Sequence, residues 1–208
     1  MEEEIENLVP ENIVGKATDL EHSVNLPDAE QAMDTFKRAY KRLLNVPVWH
    51  ELCGAASAEF YLTDASGKEV HRLAEPDDHF KIDITGPGSK IGDGFDWAKV
   101  EKITDNASPQ STEESFGLRV AAAKNPLTAS GDTAHFFKNN ATSTFIIKRV
   151  NNTVSAEYHG RNELPNTATD STVDNVRNTF VAGVALAATS KMQWNALLKG
   201  LLEAEIGG

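Results

Sequence analysis

Cysteine is all but absent. Cys53 is the single one in 208 residues, which excludes an intramolecular disulfide and any zinc site built from several thiolates. Standing between Leu52 and Gly54, it is expected to be a buried, unreactive thiol. Base is also scarce, with 20 Lys and Arg against 31 Asp and Glu and a net charge of −11. An acidic surface repels phosphate backbones and anionic headgroups, so neither nucleic acid nor a membrane surface is an expected partner. Long apolar runs are missing: the longest, Phe180 to Ala188, falls well short of the roughly 20 residues a spanning helix needs. The first residues, MEEEIENLVPEN, carry acid where a secretory signal carries base, and no apolar stretch follows, so a cytoplasmic location is expected.

The chemical motifs are missing too. Gly86-Pro87-Gly88-Ser89-Lys90 lacks the spacing of a phosphate-binding loop and has no helical pattern behind it. Gly88-Ser89 and Ser130-Gly131 lack the nucleophile-elbow pattern of serine hydrolases. The histidines fit no ligand spacing. No metal and no cofactor are expected.

What is present is a β-hairpin of unusual clarity, TSTFIIKRVNNTVSAEYHGRN over residues 142–162. A two-residue turn at Asn151-Asn152 sets Phe145 opposite Tyr158, Ile147 opposite Ala156 and Arg149 opposite Val154. One face is then apolar, while Thr144, Lys148, Ser155, Glu157 and His159 lie on the other. Upstream, Asp28 with Gln31 three residues on forms a capping-box pattern. Ala32, Met33, Phe36, Ala39, Tyr40, Leu43 and Leu44 follow at helical spacing until Asn45 and Pro47 end the helix. From Ala58 the period becomes two, through EFYL, a turn at residues 65–67 and a return strand, then Phe80, Ile82 and Ile84. Phe116, Leu118 and Val120 make a further short strand. Ser171 with Asp174 and Ser190 with Gln193 open two C-terminal helices, the second carrying Trp194, Leu197, Leu198, Leu201 and Leu202 on one face.

The strand Phe95 to Ile103 places Ala98 and Val100 on one face and Trp97 on the other, after a loop holding four glycines. This stretch, Gly-Asp-Gly-Phe-Asp-Trp-Ala-Lys-Val, resembles the Gly-Asp-Trp-x-x-Val segment of bacterial Src-homology-3-like barrels over residues 79–103. The resemblance implies a small barrel of about five strands, usually a ligand- or peptide-binding module.

These readings give an α+β protein: a central antiparallel, strongly bent β-sheet or small SH3-like barrel, flanked by an N-terminal helix and two C-terminal helices. Residues 1–26 form an acidic arm and 27–208 a single domain, with its β body at 58–162 and its C-terminal helices at 171–206. The expected role is a non-enzymatic binding or assembly module for a protein or peptide ligand. Its binding candidates are Trp97, Asp96 and Lys90 around the glycine loop, and Tyr158, His159, Arg161, Asn162 and Glu163 at the hairpin's end. Two alternatives stand beside it. One is a hydrolase or metal-dependent enzyme centred on His159, Asp132 and His135. The other is a structural subunit forming homo-oligomers through the C-terminal helices.

Overall fold

A computed structural model of the chain describes residues 2–54, 57–84, 93–128, 133–138, 140–165 and 191–204. Its centre is a seven-stranded antiparallel sheet in the order β1-β7-β6-β5-β4-β3-β2. The strands are β1 Lys16–Asn25, β2 Glu59–Thr63, β3 His79–Asp83, β4 Asp96–Asn106, β5 Glu113–Ala122, β6 Thr142–Val150 and β7 Thr153–Glu163. Four helices accompany it: α1 Glu2–Glu6, α2 Ala29–Leu44, α3 Trp49–Cys53 and α4 over residues 191–203.

The hairpin forms in the expected register, with Phe145 opposite Tyr158, Ile147 opposite Ala156 and Arg149 opposite Val154. Asn151 takes a φ of 54°, a left-handed conformation that asparagine tolerates better than most residues. Helix α2 starts as its sequence dictates: the Asp28 carboxylate accepts from the Gln31 backbone N–H at 2.8 Å and from the Gln31 side-chain amide at 2.8 Å. At its other end the Trp49 indole donates to the carbonyls of Arg42 and Leu43 in the last turn, where intrahelical donors run out.

The sheet is curled around its helices, and ring contacts measure the curl. Trp49 lies 5.3 Å from Phe60 on β2 and 5.1 Å from Phe145 on β6, so those two rings are at most about 10 Å apart. Four strand spacings in a flat sheet would separate their backbones by about 19 Å. Trp194 of α4 likewise reaches Phe60 at 6.2 Å and Tyr158 on β7 at 5.2 Å. The inner face thus closes on the two tryptophans, and Leu197, Leu198, Leu201 and Leu202 complete the core from α4.

Three expectations change. The small barrel is replaced by the seven-stranded sheet: residues 79–103 are β3 and most of β4, paired as His79 to Lys99 through Ile82 to Asp96. Strands of ten or eleven residues leave an apolar face too large to close on itself, and helices cover it instead. The acidic arm gives way at Lys16 to edge strand β1, which pairs with β7 from Lys16–Glu163 to Asn25–Thr153. Before it, Ile5 and Leu8 dock on the outer face against Ile146. They occupy a hollow made by Gly117, where a Cβ would lie 2.2 Å from Leu8 Cδ2, while Ile13 is 83% exposed. Finally, the apolar stripe of α4 is spent inside the chain, with Leu197, Leu198 and Leu201 fully buried, so this stripe offers no face to a second subunit. The earlier C-terminal helix, expected from Ser171, lies outside the described residues. No described helix is long and apolar enough to cross a membrane.

Candidate functional site at the loop end of the sheet

Antiparallel order sends the connections to two opposite ends. One end carries the turns 107–112 and 151–152, residues 26–28 and the segment 64–78. The segment 64–78 is fastened by Arg72, which donates to both oxygens of Asp78 at 2.6 and 2.9 Å. The other end, the loop end, receives residues 57–58, 84, 93–95, 123–128, 133–138 and 164–165 among those described. Loops gathered at one end of a rigid sheet are where binding groups concentrate. The two clusters of expected site residues, around Trp97 and around Tyr158, both fall there.

Asp96 opens β4 on the inner face, opposite Ile82 and beside Ala98, and is only 5% exposed. Its Oδ2 accepts from the Phe136 N–H at 3.2 Å. Burial pushes its carboxyl up to about 6, against the opposing pull of that one hydrogen bond. Trp97, expected as an open binding aromatic, does sit on the opposite face from Ala98 and Val100, but it is 1% exposed. Its backbone is tied to the segment 133–138. Ala134 accepts from the Trp97 N–H at 2.7 Å and donates to the Ala123 carbonyl at 2.9 Å. Trp97 is a buried packing residue, so its ring offers no open surface to a peptide.

The same segment works as a strap. From Trp97 it crosses to the end of β7, where the Lys138 N–H donates to Leu164 at 2.9 Å and Phe137 forms a bridge with Pro165. Between these ties, His135 and Phe136 stack with centroids 4.6 Å apart, and Phe136 and Phe137 lie 4.2 Å apart. His135 Nδ1 accepts from the Phe137 N–H, and burial pushes its imidazole down to about 4, leaving it neutral at ordinary pH.

At the β7 side, Tyr158 faces inward and is 1% exposed. Its ring stacks on Trp194 at an interplanar angle of 22°. Its hydroxyl lies 3.2 Å from Ser143 Oγ and donates to Glu163 Oε1 at 3.3 Å. Burial and the neighbouring Glu163 carboxylate raise the phenol far above its ordinary value, so it acts as a hydrogen-bonding group and not as a base. Glu163 reaches back only because residue 160 is glycine, since a Cβ there would meet Glu163 Oε1 at 2.3 Å. Its other oxygen accepts from Thr18 Oγ1 at 2.7 Å.

The run from Tyr158 to Glu163, contiguous in sequence, is therefore divided in space. His159 and Arg161 point to the outer face. His159 Nδ1 is 2.6 Å from Asp19 and its Nε2 3.1 Å from Glu157, and the bonds to Glu157 and Asp19 raise its pKa against the effect of burial. Arg161 donates to Asp19 at 2.7 Å. Asn162, at a φ of 56°, is an anchor: its Oδ1 accepts from the Ile13 and Val14 N–H groups at 2.8 and 3.1 Å. Its backbone N–H donates to Asn12 Oδ1 at 2.8 Å.

The proposed trio of His159, Asp132 and His135 is not a unit on this geometry, because His159 is held on the outer face of β7 and His135 within the strap. Asp132 and Lys90 lie outside the described residues. Among the described residues no group of three or more His, Cys, Asp and Glu could hold a metal ion. Cys53 is partly buried, and burial pushes its thiol up to about 12. Sequence reasoning missed Ser143, Trp194 and Phe136 as site residues. Ser143 and Tyr158 share the inward parity of the hairpin, a signal that was there to use. No sequence signal places Trp194 on Tyr158 or Phe136 on Asp96.

No family model matches the sequence, and no curated protein matches it. Several solved structures are similar in shape. One is the hypothetical protein jhp0584 of Helicobacter pylori, at 13% identity over 89% of this chain and 87% of that one, with a TM-score of 0.47. Another is the Zhui aromatase/cyclase of Streptomyces sp. R1128, at 12% identity over 89% of this chain and 94% of that one, with a TM-score of 0.36. A third is norcoclaurine synthase of Thalictrum flavum in complex with dopamine and hydroxybenzaldehyde, at 7% identity over 84% of this chain and 88% of that one, with a TM-score of 0.33.

Proposed function

We propose that this chain is a small-molecule binding protein of helix-grip architecture. Its ligand enters at the loop end, between the inner face of the curled sheet and α4. The observation that carries this reading is the change in character of the inner face. Across most of the sheet it is aliphatic and aromatic, but at the loop end it carries Asp96 on one side and the hydrogen-bonded set Tyr158, Ser143 and Glu163 on the other. An apolar concavity with a few fixed polar groups at its mouth is the common form of a small-ligand site. Binding is favoured over catalysis because Tyr158 is held protonated, and because the histidine of the enzyme alternative, His159, faces away from the concavity.

The test is native mass spectrometry of the purified protein, with fluorescence of Trp194 followed as a neutral apolar probe, N-phenyl-1-naphthylamine, is titrated. The reading expects a bound species of a few hundred daltons or saturable probe binding that shifts the Trp194 emission, weakened in a Tyr158→Phe, Ser143→Ala double variant. Absence of both the bound species and saturable binding would sink it.

A further inference from the structure

The inner face buries two carboxylates, and they are treated differently. Glu114, near the hairpin turns, meets Arg149 Nε at 2.6 Å, with side-chain exposures of 1% and 3%. The same guanidinium is completed by the carbonyls of Ser111, Thr112 and Asn151. Asp96 is nearly as deeply buried, yet its carboxyl receives one backbone N–H, from Phe136. No Lys, Arg or His among the described residues pairs with it. Burying a carboxylate without a counter-charge is costly, and the chain has every means to avoid that cost, since asparagine would fill the same space. The neighbours give the setting: Ile82 and Ala98 beside Asp96 on the inner face, and Phe136, whose backbone N–H donates to the carboxylate and whose ring stacks on His135. Hydrocarbon, an aromatic face and one uncompensated carboxylate are the elements that hold an organic cation. A single carboxylate is too few ligands for a hard metal ion, and an anionic ligand would be repelled.

Resting on the pocket reading above, the geometry points to Asp96 as the anchor for the ammonium group of the ligand, a small primary amine carried on an apolar or aromatic body. The amine completes an ion pair that the described residues leave open, and the body lies along the inner face toward Tyr158 and Trp194.

Three probes of one skeleton test this: 2-phenylethylamine, 2-phenylethanol and phenylacetate, titrated calorimetrically into the full chain at pH 7.5 and into its Asp96→Asn variant. The amine is expected to bind roughly tenfold or more tighter than the alcohol, the size of a charge-assisted hydrogen bond, and the acid more weakly than either. In Asp96→Asn the advantage of the amine should vanish while the alcohol binds as before. Equal binding of amine and alcohol to the unaltered chain, or an amine preference that survives in Asp96→Asn, would remove the anchor and leave the pocket. Loss of both probes in a folded Asp96→Asn would also overturn it, by showing that Asp96 shapes the site without pairing. If the variant does not fold, the order of the three probes on the unaltered chain decides alone. No binding of any of the three at millimolar concentration, with no saturable probe binding either, would take the pocket reading down together with its anchor.

Discussion

The two ends of the sheet solve the same problem in opposite ways. At the hairpin end, Glu114 and Arg149 are buried together and nearly every polar atom of the guanidinium has a partner. At the loop end, Asp96 is buried with a single donor and, among the described residues, no cation. A compensated charge holds turns in place; an uncompensated one is a standing demand for a partner from outside. The difference teaches that burial of an ionisable group says little about its role until its counter-charge has been sought.

The largest effects break the compensated end and the buried tryptophan. Arg149→Ala leaves Glu114 buried and alone, and should cost about 3–5 kcal/mol in a denaturant titration. Replacing both partners, by Glu114→Gln with Arg149→Met, should recover most of that loss. If Arg149→Ala proves nearly neutral, the contrast between the ends fails. Trp97→Ala should also cost about 3–5 kcal/mol, because the ring is buried. A melting temperature left unchanged would return Trp97 to the surface as a binding aromatic.

Asp96→Asn should act in the other direction. The Asp96 pKa is raised from 3.8 to about 6, so the folded protein holds this proton where the unfolded chain has lost it. The contribution of Asp96 is therefore most favourable below about pH 4 and is lost as pH rises through 6. At pH 7.5 the amide should stabilise the ligand-free protein by about 1–3 kcal/mol, and the gain should shrink towards zero by pH 4. His135, lowered to about 4, has the opposite slope across the same window, stabilising at higher pH and losing its contribution as pH falls from 6.5 to 4. The measurement is consequently the difference between the two proteins across pH, in which His135 cancels. A difference that does not vary with pH would contradict the uncompensated carboxylate. The smallest effect belongs to the turn itself: Asn151→Ala, at a φ of 54°, should cost about 1 kcal/mol, read as a shift of the denaturation midpoint.

Much of the fold was legible in sequence because it is written in local periodicity. The Asp28 cap, the α2 stripe, the hairpin register and the α4 stripe all depend on residues a few positions apart, and all appear as read. Strand β1 was read as part of the acidic arm, because the alternation of Leu20, His22 and Val24 within it is a thin signal. An edge strand buries only part of one face, so it needs few apolar residues. The barrel resemblance misled because a Gly-Asp-Gly loop followed by an aromatic strand describes one hairpin, and a single hairpin fits many sheets.

The candidate site was legible only as a set of residues, and its geometry was not. By itself the sequence determined which side chains share a face, since side chains alternate along a strand with period two whatever surrounds them. It thereby placed Phe145, Ile147, Ala156 and Tyr158 on one side and His159 on the other. Only the tertiary structure decided which strand ends meet, that Trp97 is buried, that Trp194 lands on Tyr158, and that Glu114 finds an arginine while Asp96 has none among the described residues. Those outcomes depend on contacts between residues far apart in the chain, and on how strongly a seven-stranded sheet must curl to bury one face on two tryptophans.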